Sequence, residues 1–186
     1  MPASLGKYYD QINSGNCFVL STAAAGTATP IITGTAATFG LWNNSQTHNA
    51  VLMKITIGFT SGTDALGVFG LGALLNPVFQ TATAAHISAF TDSILGATLR
   101  NAKLGSGKTS VMRSTPSGAT IAASQSFPYY WLGGSVMSAT PAGGYFQVNY
   151  DLDGLTVTPG QFVHLAGSVA QTGLHTCSLM WAEVPI

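Results

Sequence analysis

The sequence predicts an all-β protein, a jelly-roll-like antiparallel β-sandwich of about eight strands with at most one short helix. Three observations carry that prediction. Residues 145–186 alternate: Phe146, Val148, Tyr150 and Leu152 oppose Gln147, Asn149 and Asp151, and Val163, Leu165 and Val169 oppose His164 and Ser168. Cys177, Leu179 and Trp181 then share a face. Residues 50–59 repeat the pattern, with Val51, Met53, Ile55, Ile57 and Phe59 on one side. The 22 glycines and 8 prolines punctuate runs of this kind at short intervals. Period-two alternation marks a strand with one dry and one wet face, and many such strands with little helix make a sandwich or barrel.

Taken in order, residues 1–16 are polar and aperiodic, an N-terminal arm whose contact-forming side chains are Lys7, Tyr8 and Tyr9. The arm either leads into the first strand or reaches onto a neighbour, as an assembly arm. Residues 17–186 form a single β-sandwich domain, long enough to bury a core. Residues 17–20 begin the first strand. Residues 22–38 are Ala/Thr/Gly-rich, with turns expected near Gly26, Pro30 and Gly34. Residues 39–42 make a short strand before the turn cluster Asn43-Asn44-Ser45-Gln46. The strand at 50–59 turns through Ser61-Gly62-Thr63-Asp64 into 66–75, a hairpin whose second strand carries Gly67, Gly70 and Gly72 for close backbone approach or a bulge.

The middle of the chain is the least regular. Ile87, Phe90, Ile94 and Ala97 fall at helical spacing, with Thr91 or Asp92 as a cap, which predicts a short helix over 86–99. Gly105-Ser106-Gly107 and residues 115–118 read as turns, and 109–114 and 120–126 as extended chain. Phe127, Tyr129, Tyr130 and Trp131 form the densest aromatic cluster, and Pro128 rules out a regular central strand there. A turn at 141–144 leads to the closing unit, whose own turns fall at Asp153-Gly154, Thr158-Pro159-Gly160 and Gln171-Thr172-Gly173. An immunoglobulin-type sandwich fits less well, because the cysteines lie near the two ends of the chain and not around a central tryptophan.

Charge is the compositional outlier. Six basic and six acidic residues make up 6% of the chain, against about 25% in an average protein. A surface so poor in charge suits burial against copies of the same protein, since interface cores are depleted of charge. The expected partners are therefore copies of itself, in a cyclic homo-oligomer such as a trimer or pentamer. A net charge of zero argues against a nucleic-acid partner. No run reaches the roughly 18 apolar residues of a membrane span, so no membrane partner is expected. Residues 1–15 lack the basic and apolar regions of a secretory signal, which predicts synthesis in a cytoplasm.

The reactive residues do not assemble into a recognisable catalytic motif. Gly105-Ser106-Gly107-Lys108-Thr109 imitates a phosphate loop but has Ala102 where the leading glycine belongs. Asp151-Leu152-Asp153-Gly154 opens like a calcium loop, yet no acid follows until Glu183. His48, His86, His164 and His175 show no ligand spacing, and His164 and His175 are expected as exposed cross-strand neighbours. No Gly-x-Ser-x-Gly elbow is present. The expectation is no enzyme, no cofactor and no metal. Cys17 and Cys177 lie in the first and last strands, which are neighbours in a jelly roll. They form either a disulfide closing nearly the whole chain, worth about 4–5 kcal/mol by chain entropy, or two buried free thiols.

The aromatic cluster is the candidate recognition surface, facing a ligand or a neighbouring subunit, with a core-plugging loop as the other reading. Ligand-facing aromatics would make the chain a lectin-like carbohydrate-binding module, reaching surface glycans.

Residues 150–155 (Tyr-Asp-Leu-Asp-Gly-Leu), 157–160 (Val-Thr-Pro-Gly), 179–185 (Leu-Met-Trp-Ala-Glu-Val-Pro) and 54–59 (Lys-Ile-Thr-Ile-Gly-Phe) resemble small jelly-roll structural proteins of bacteriophage and uncultured viral genomes. The resemblance covers about half the chain and implies a virion component, such as a capsid, decoration or fibre subunit, acting beside other virion proteins. It implies no active-site residues.

Overall fold

The computed structural model describes residues 7–74, 87–88, 99–115, 119–121, 126–136 and 147–186. After the helix α1 (Tyr9–Asn13) come strands β1 (Cys17–Ser21), β2 (Thr27–Ala28), β3 (Ala36–Ala37), β4 (Gly40–Trp42), β5 (His48–Ser61), β6 (Gly67–Leu74) and β7 (Ile87–Ser88). There follow β8 (Leu99–Asn101), β9 (Arg113–Thr115), β10 (Ala119–Ile121), β11 (Ser126–Val136), β12 (Gln147–Val157), β13 (Phe162–Gly167) and β14 (Leu174–Pro185). They form an antiparallel β-sandwich. One sheet has the order β12-β5-β14-β1-β8, with β2 extending the β1 side of β14, and the other has the order β11-β6-β13-β4-β9. A small third sheet, β3-β10-β7, brings Ala37 against Trp42, Leu74 and Phe162 on the outer side of the second sheet.

The core lies between the two large sheets. The first contributes Phe18, Leu20, Leu52, Ile55, Ile57, Cys177, Leu179 and Trp181, and the second Phe39, Leu41, Phe69, Leu71, Val163 and Leu165. Trp181 is fully buried and stacks on Phe18 at 6.1 Å between ring centroids. Burying each such side chain contributes about 1.5–3 kcal/mol, so this layer dominates the stability.

Three turns and faces differ from the sequence reading. The expected hairpin over residues 50–75 is not one: β5 lies in the first sheet and β6 in the second, so the turn at 61–64 carries the chain from one sheet to the other. The strand over residues 50–59 does not keep one apolar face. Lys54 pairs with Met180 and Leu52 with Trp181, which leaves Met53 as an extra residue, a bulge. Ala50 and Leu52 point inward before it and Ile55 and Ile57 after it, while Val51 and Met53 turn outward. Asp153-Gly154 is not a hairpin turn either. β12 pairs with β5 on both sides of it, and Asp153 (φ 44°) and Gly154 (φ 91°) absorb the irregularity opposite Met53 in left-handed backbone. The expected helix over 86–99 begins and ends in strands β7 and β8, and residues 89–98 lie outside the described set, as do the turns at 116–118 and 141–144.

The histidines are also corrected. His164 and His175 are neither exposed nor neighbours: they are 1% and 0% exposed and lie in different sheets. His175 falls two residues before Cys177 and so shares its inward face. His164 points outward from β13, where a third layer covers that sheet and Phe162 stacks on the imidazole at 5.7 Å.

Burial lowers the His164 pKa from 6.5 to about 4, partly offset by the Leu165 carbonyl. Between those values the unfolded chain binds the proton and the folded one does not. Stability is therefore complete above pH 6.5 and falls, by up to about 3 kcal/mol, as the pH drops to 4. Urea unfolding of His164→Phe across that range should show a flatter pH profile than the parent; an unchanged profile would assign the effect to other groups.

Candidate functional site

The described part of the arm folds back on its own sheet. Tyr8 and Ile12, on either side of the α1 turn, cover Cys17, Met53 and Ala182 on the outer face of the first sheet. The Met53 bulge creates this seat by turning a large apolar side chain outward. At the β12 edge Lys7 forms ion pairs with Asp151, at 3.3 Å, and with Asp153. The Tyr8 hydroxyl, 3.1 Å from both the Met53 carbonyl and Asp151 Oδ1, donates there. At the opposite edge Lys103 donates to the Asn13 carbonyl (2.8 Å), Lys108 to the Ser14 carbonyl (2.9 Å) and to Asn16 Oδ1 (2.8 Å), and Asn101 to the Gly15 carbonyl (2.7 Å). Cations at the end of a helix meet its unpaired carbonyls and its negative pole. The arm thus leads into β1 across the full width of the sheet, while Tyr9 stays exposed.

This arrangement answers two sequence motifs. The Lys108 ammonium of the phosphate-loop imitation is engaged by the arm, and Asp151 and Asp153 hold the Lys7 ammonium between them. The Asp153 contact chiefly raises the Lys7 pKa, and the Tyr8 hydroxyl, ahead of Lys7, lowers that of Asp151.

Of the other acids among the described residues, Asp64 and Glu183 turn inward. Asp64 Oδ2 lies 2.8 Å from His175 Nε2, with Phe59 and Phe69 edge-on to the ring. Gly173 packs so closely over the other oxygen, Asp64 Oδ1, that a β-carbon there would sit 2.3 Å from it. Glu183 shares the inward face of Trp181 and accepts from Ser110 Oγ, from the Val111 amide (3.1 and 3.2 Å) and from Trp181 Nε1 (3.4 Å). It thereby holds the loop that carries Lys108. These two buried acids were not singled out as site residues from the sequence. The signal was available, since His175 and Glu183 continue the alternation of Cys177, Leu179 and Trp181.

Cys17 and Cys177 are both free and buried, and the register separates them. Cys17 pairs with Ala182 and Ser21 with Ser178, which puts Cys177 at the far end of β1 and on the opposite face of the sheet. Cys17 lies under the arm and Cys177 in the main core, so the disulfide alternative is ruled out. Burial pushes their pKa values up to about 11 and about 12, leaving both as unreactive thiols.

The aromatic cluster lies on β11, an edge strand and not a loop. Phe127 packs half-buried against the core and Leu132 is buried, whereas Tyr129, Tyr130 and Trp131 are 36%, 43% and 43% exposed. Three successive side chains cannot all face solvent from a regular half-buried strand. Here the register against β6 shifts between Pro128 and Tyr130, between Trp131 and Gly133, and between Gly133 and Ser135. Trp131 lies over Gly70 of β6, where a β-carbon would come within 2.7 Å of the indole ring.

No family model matches the chain, and no curated protein or solved structure shows significant similarity to it.

If the arm is what shields Cys17, native protein should react with neither thiol toward a disulfide reagent such as DTNB. A Tyr8→Ala, Ile12→Ala double variant should expose one thiol while Cys177 stays protected until unfolding. Equal protection of both thiols in that variant would show that the arm does not cover Cys17.

Proposed function

We propose that the chain is a self-assembling structural protein with a jelly-roll fold, a virion component such as a capsid, decoration or fibre subunit. The observation that carries the reading is where the charges go. Of only six basic side chains, Lys7, Lys103 and Lys108 fasten the arm and Arg113 lies over the Trp42 ring at 5.1 Å. Asp64 and Glu183 are buried, and Asp151 and Asp153 are tied to Lys7. What is left outside is mostly Thr, Ser, Ala, Gly and Asn, with little net field to keep copies apart. Such a surface favours close packing of identical subunits, in a closed ring such as a trimer or pentamer.

The strand order supports the fold assignment. Taking β1, β4, β5, β6, β11, β12, β13 and β14 as first to eighth, one sheet reads first-eighth-third-sixth and the other second-seventh-fourth-fifth. That is the order of two interlocked Greek keys, an architecture used by capsid and lectin domains alike. The arm serves its own subunit in this reading, and the neutral faces of the sandwich make the contacts between copies. The place of action would be a virion or an extracellular assembly.

Light scattering over a dilution series tests the proposal. The expected result is a stable multiple of 19.1 kDa, or a larger particle, that persists on dilution. A clean monomer at all concentrations would overturn self-assembly.

A further inference from the structure

We infer that the β11 edge is a binding site for neutral saccharides, built around Trp131 as a stacking platform. The inference stands apart from the assembly reading, because it concerns a surface that the subunit contacts proposed above do not require.

The indole is seated before any ligand arrives. Its Cε3 and Cζ3 atoms lie against Gly70, at 2.7 and 3.1 Å from where a β-carbon would be, so one part of the ring rests on the backbone of β6. The side chain nevertheless remains 43% exposed. A β-carbon at Gly70 would remove the seat. A flat aromatic surface fixed on one side and open on the other is suited to the C–H face of a pyranose, and it loses little conformational freedom on binding.

Tyr129 and Tyr130 supply the second requirement. Both stay exposed on the same edge strand, and their phenols present amphipathic surface with a hydroxyl that can donate or accept. The register shifts at Tyr129 and at Leu132 are what leave three consecutive aromatic side chains outside the core. The same bulges interrupt the edge against β-strand addition, which disfavours pairing with a strand from another chain. The surface is thus available through its side chains and not through its backbone.

Charge selects the ligand class. Neither β6 nor β11 contains a charged residue, and no lysine or arginine follows Arg113 in the sequence. Bases also stack on aromatic platforms, but single-stranded nucleic acid needs cations along the phosphates. A neutral, hydroxyl-rich ligand needs none.

The chain contains three tryptophans, and Trp42 and Trp181 are buried, so quenching by iodide reports on Trp131. The intact protein would be titrated with cellohexaose, maltohexaose, chitohexaose and mannohexaose. At least one should shift the emission and protect it from iodide, with a dissociation constant in the millimolar range or tighter. By calorimetry, Trp131→Ala should weaken that binding at least tenfold, Trp131→Tyr should retain it within about threefold, and the solution mass should stay that of the parent. Failure of all four sugars to bind would overturn the inference. So would tighter binding of polyuridylate than of any sugar, or a Trp131→Ala variant that binds as before and loses its oligomeric mass.

Discussion

The pairing of β14 with β5 is the constraint on which the rest depends. It runs the length of β14, from Leu174 beside Ser61 to Pro185 beside His48. β12 adds to the far side of β5, and β1 and β2 add to the far side of β14. An extra residue within this ladder, Met53, reverses the faces of β5 in mid-strand. Without that reversal Ala50, Leu52, Ile55 and Ile57 could not all reach one core, because period-two geometry allows no change of parity in a regular strand. The bulge therefore serves two layers at once, completing the inner core and placing Met53 under the arm.

A chain with so little charge spends it on fastening. The arm is closed at one edge by an ammonium between two carboxylates and at the other by two ammonium groups on helix-end carbonyls. The first of these contacts is exposed, so it contributes direction more than energy. Glu183 is of a different kind. Its carboxylate is buried beside Trp181 and joins the loop of Lys108 to the centre of the sheet, so the clamp on the arm is itself supported from the core. Removing a buried acceptor of this sort leaves donors stranded, which costs more than the bonds it made.

The sandwich was legible because alternation survives in single sequences wherever one face is dry. The inward row of β14 and the turn before β13 follow from the residue pattern alone. The failures share a cause: parity. A bulge at Met53 and another at Asp153-Gly154 are invisible to a period-two reading, since the residue types on either side of them remain apolar and polar in turn. The exposure assigned to His164 and His175 failed for two further reasons. His175 belongs to the inner row, and the chemistry of its side chain outweighed its position in the reading. His164 does face outward, but the layer that covers it comes from segments with no alternation of their own. At the candidate site, the aromatic cluster was found by composition, whereas the seat on Gly70 depends on which strand lies alongside, which no local pattern encodes.

The position of β14 also orders events during folding. It is the final strand of the domain, yet it lies in the middle of its sheet, between β5 and β1. Without β14 the earlier strands make two half-sheets with a gap between them, each presenting an open edge. β5 and β6 follow each other in the chain but lie in different sheets, so no local hairpin forms there; the first sheet closes only when β14 docks, and contacts of such long range form slowly. β14 is thus the strand whose docking turns two separate half-sheets into one.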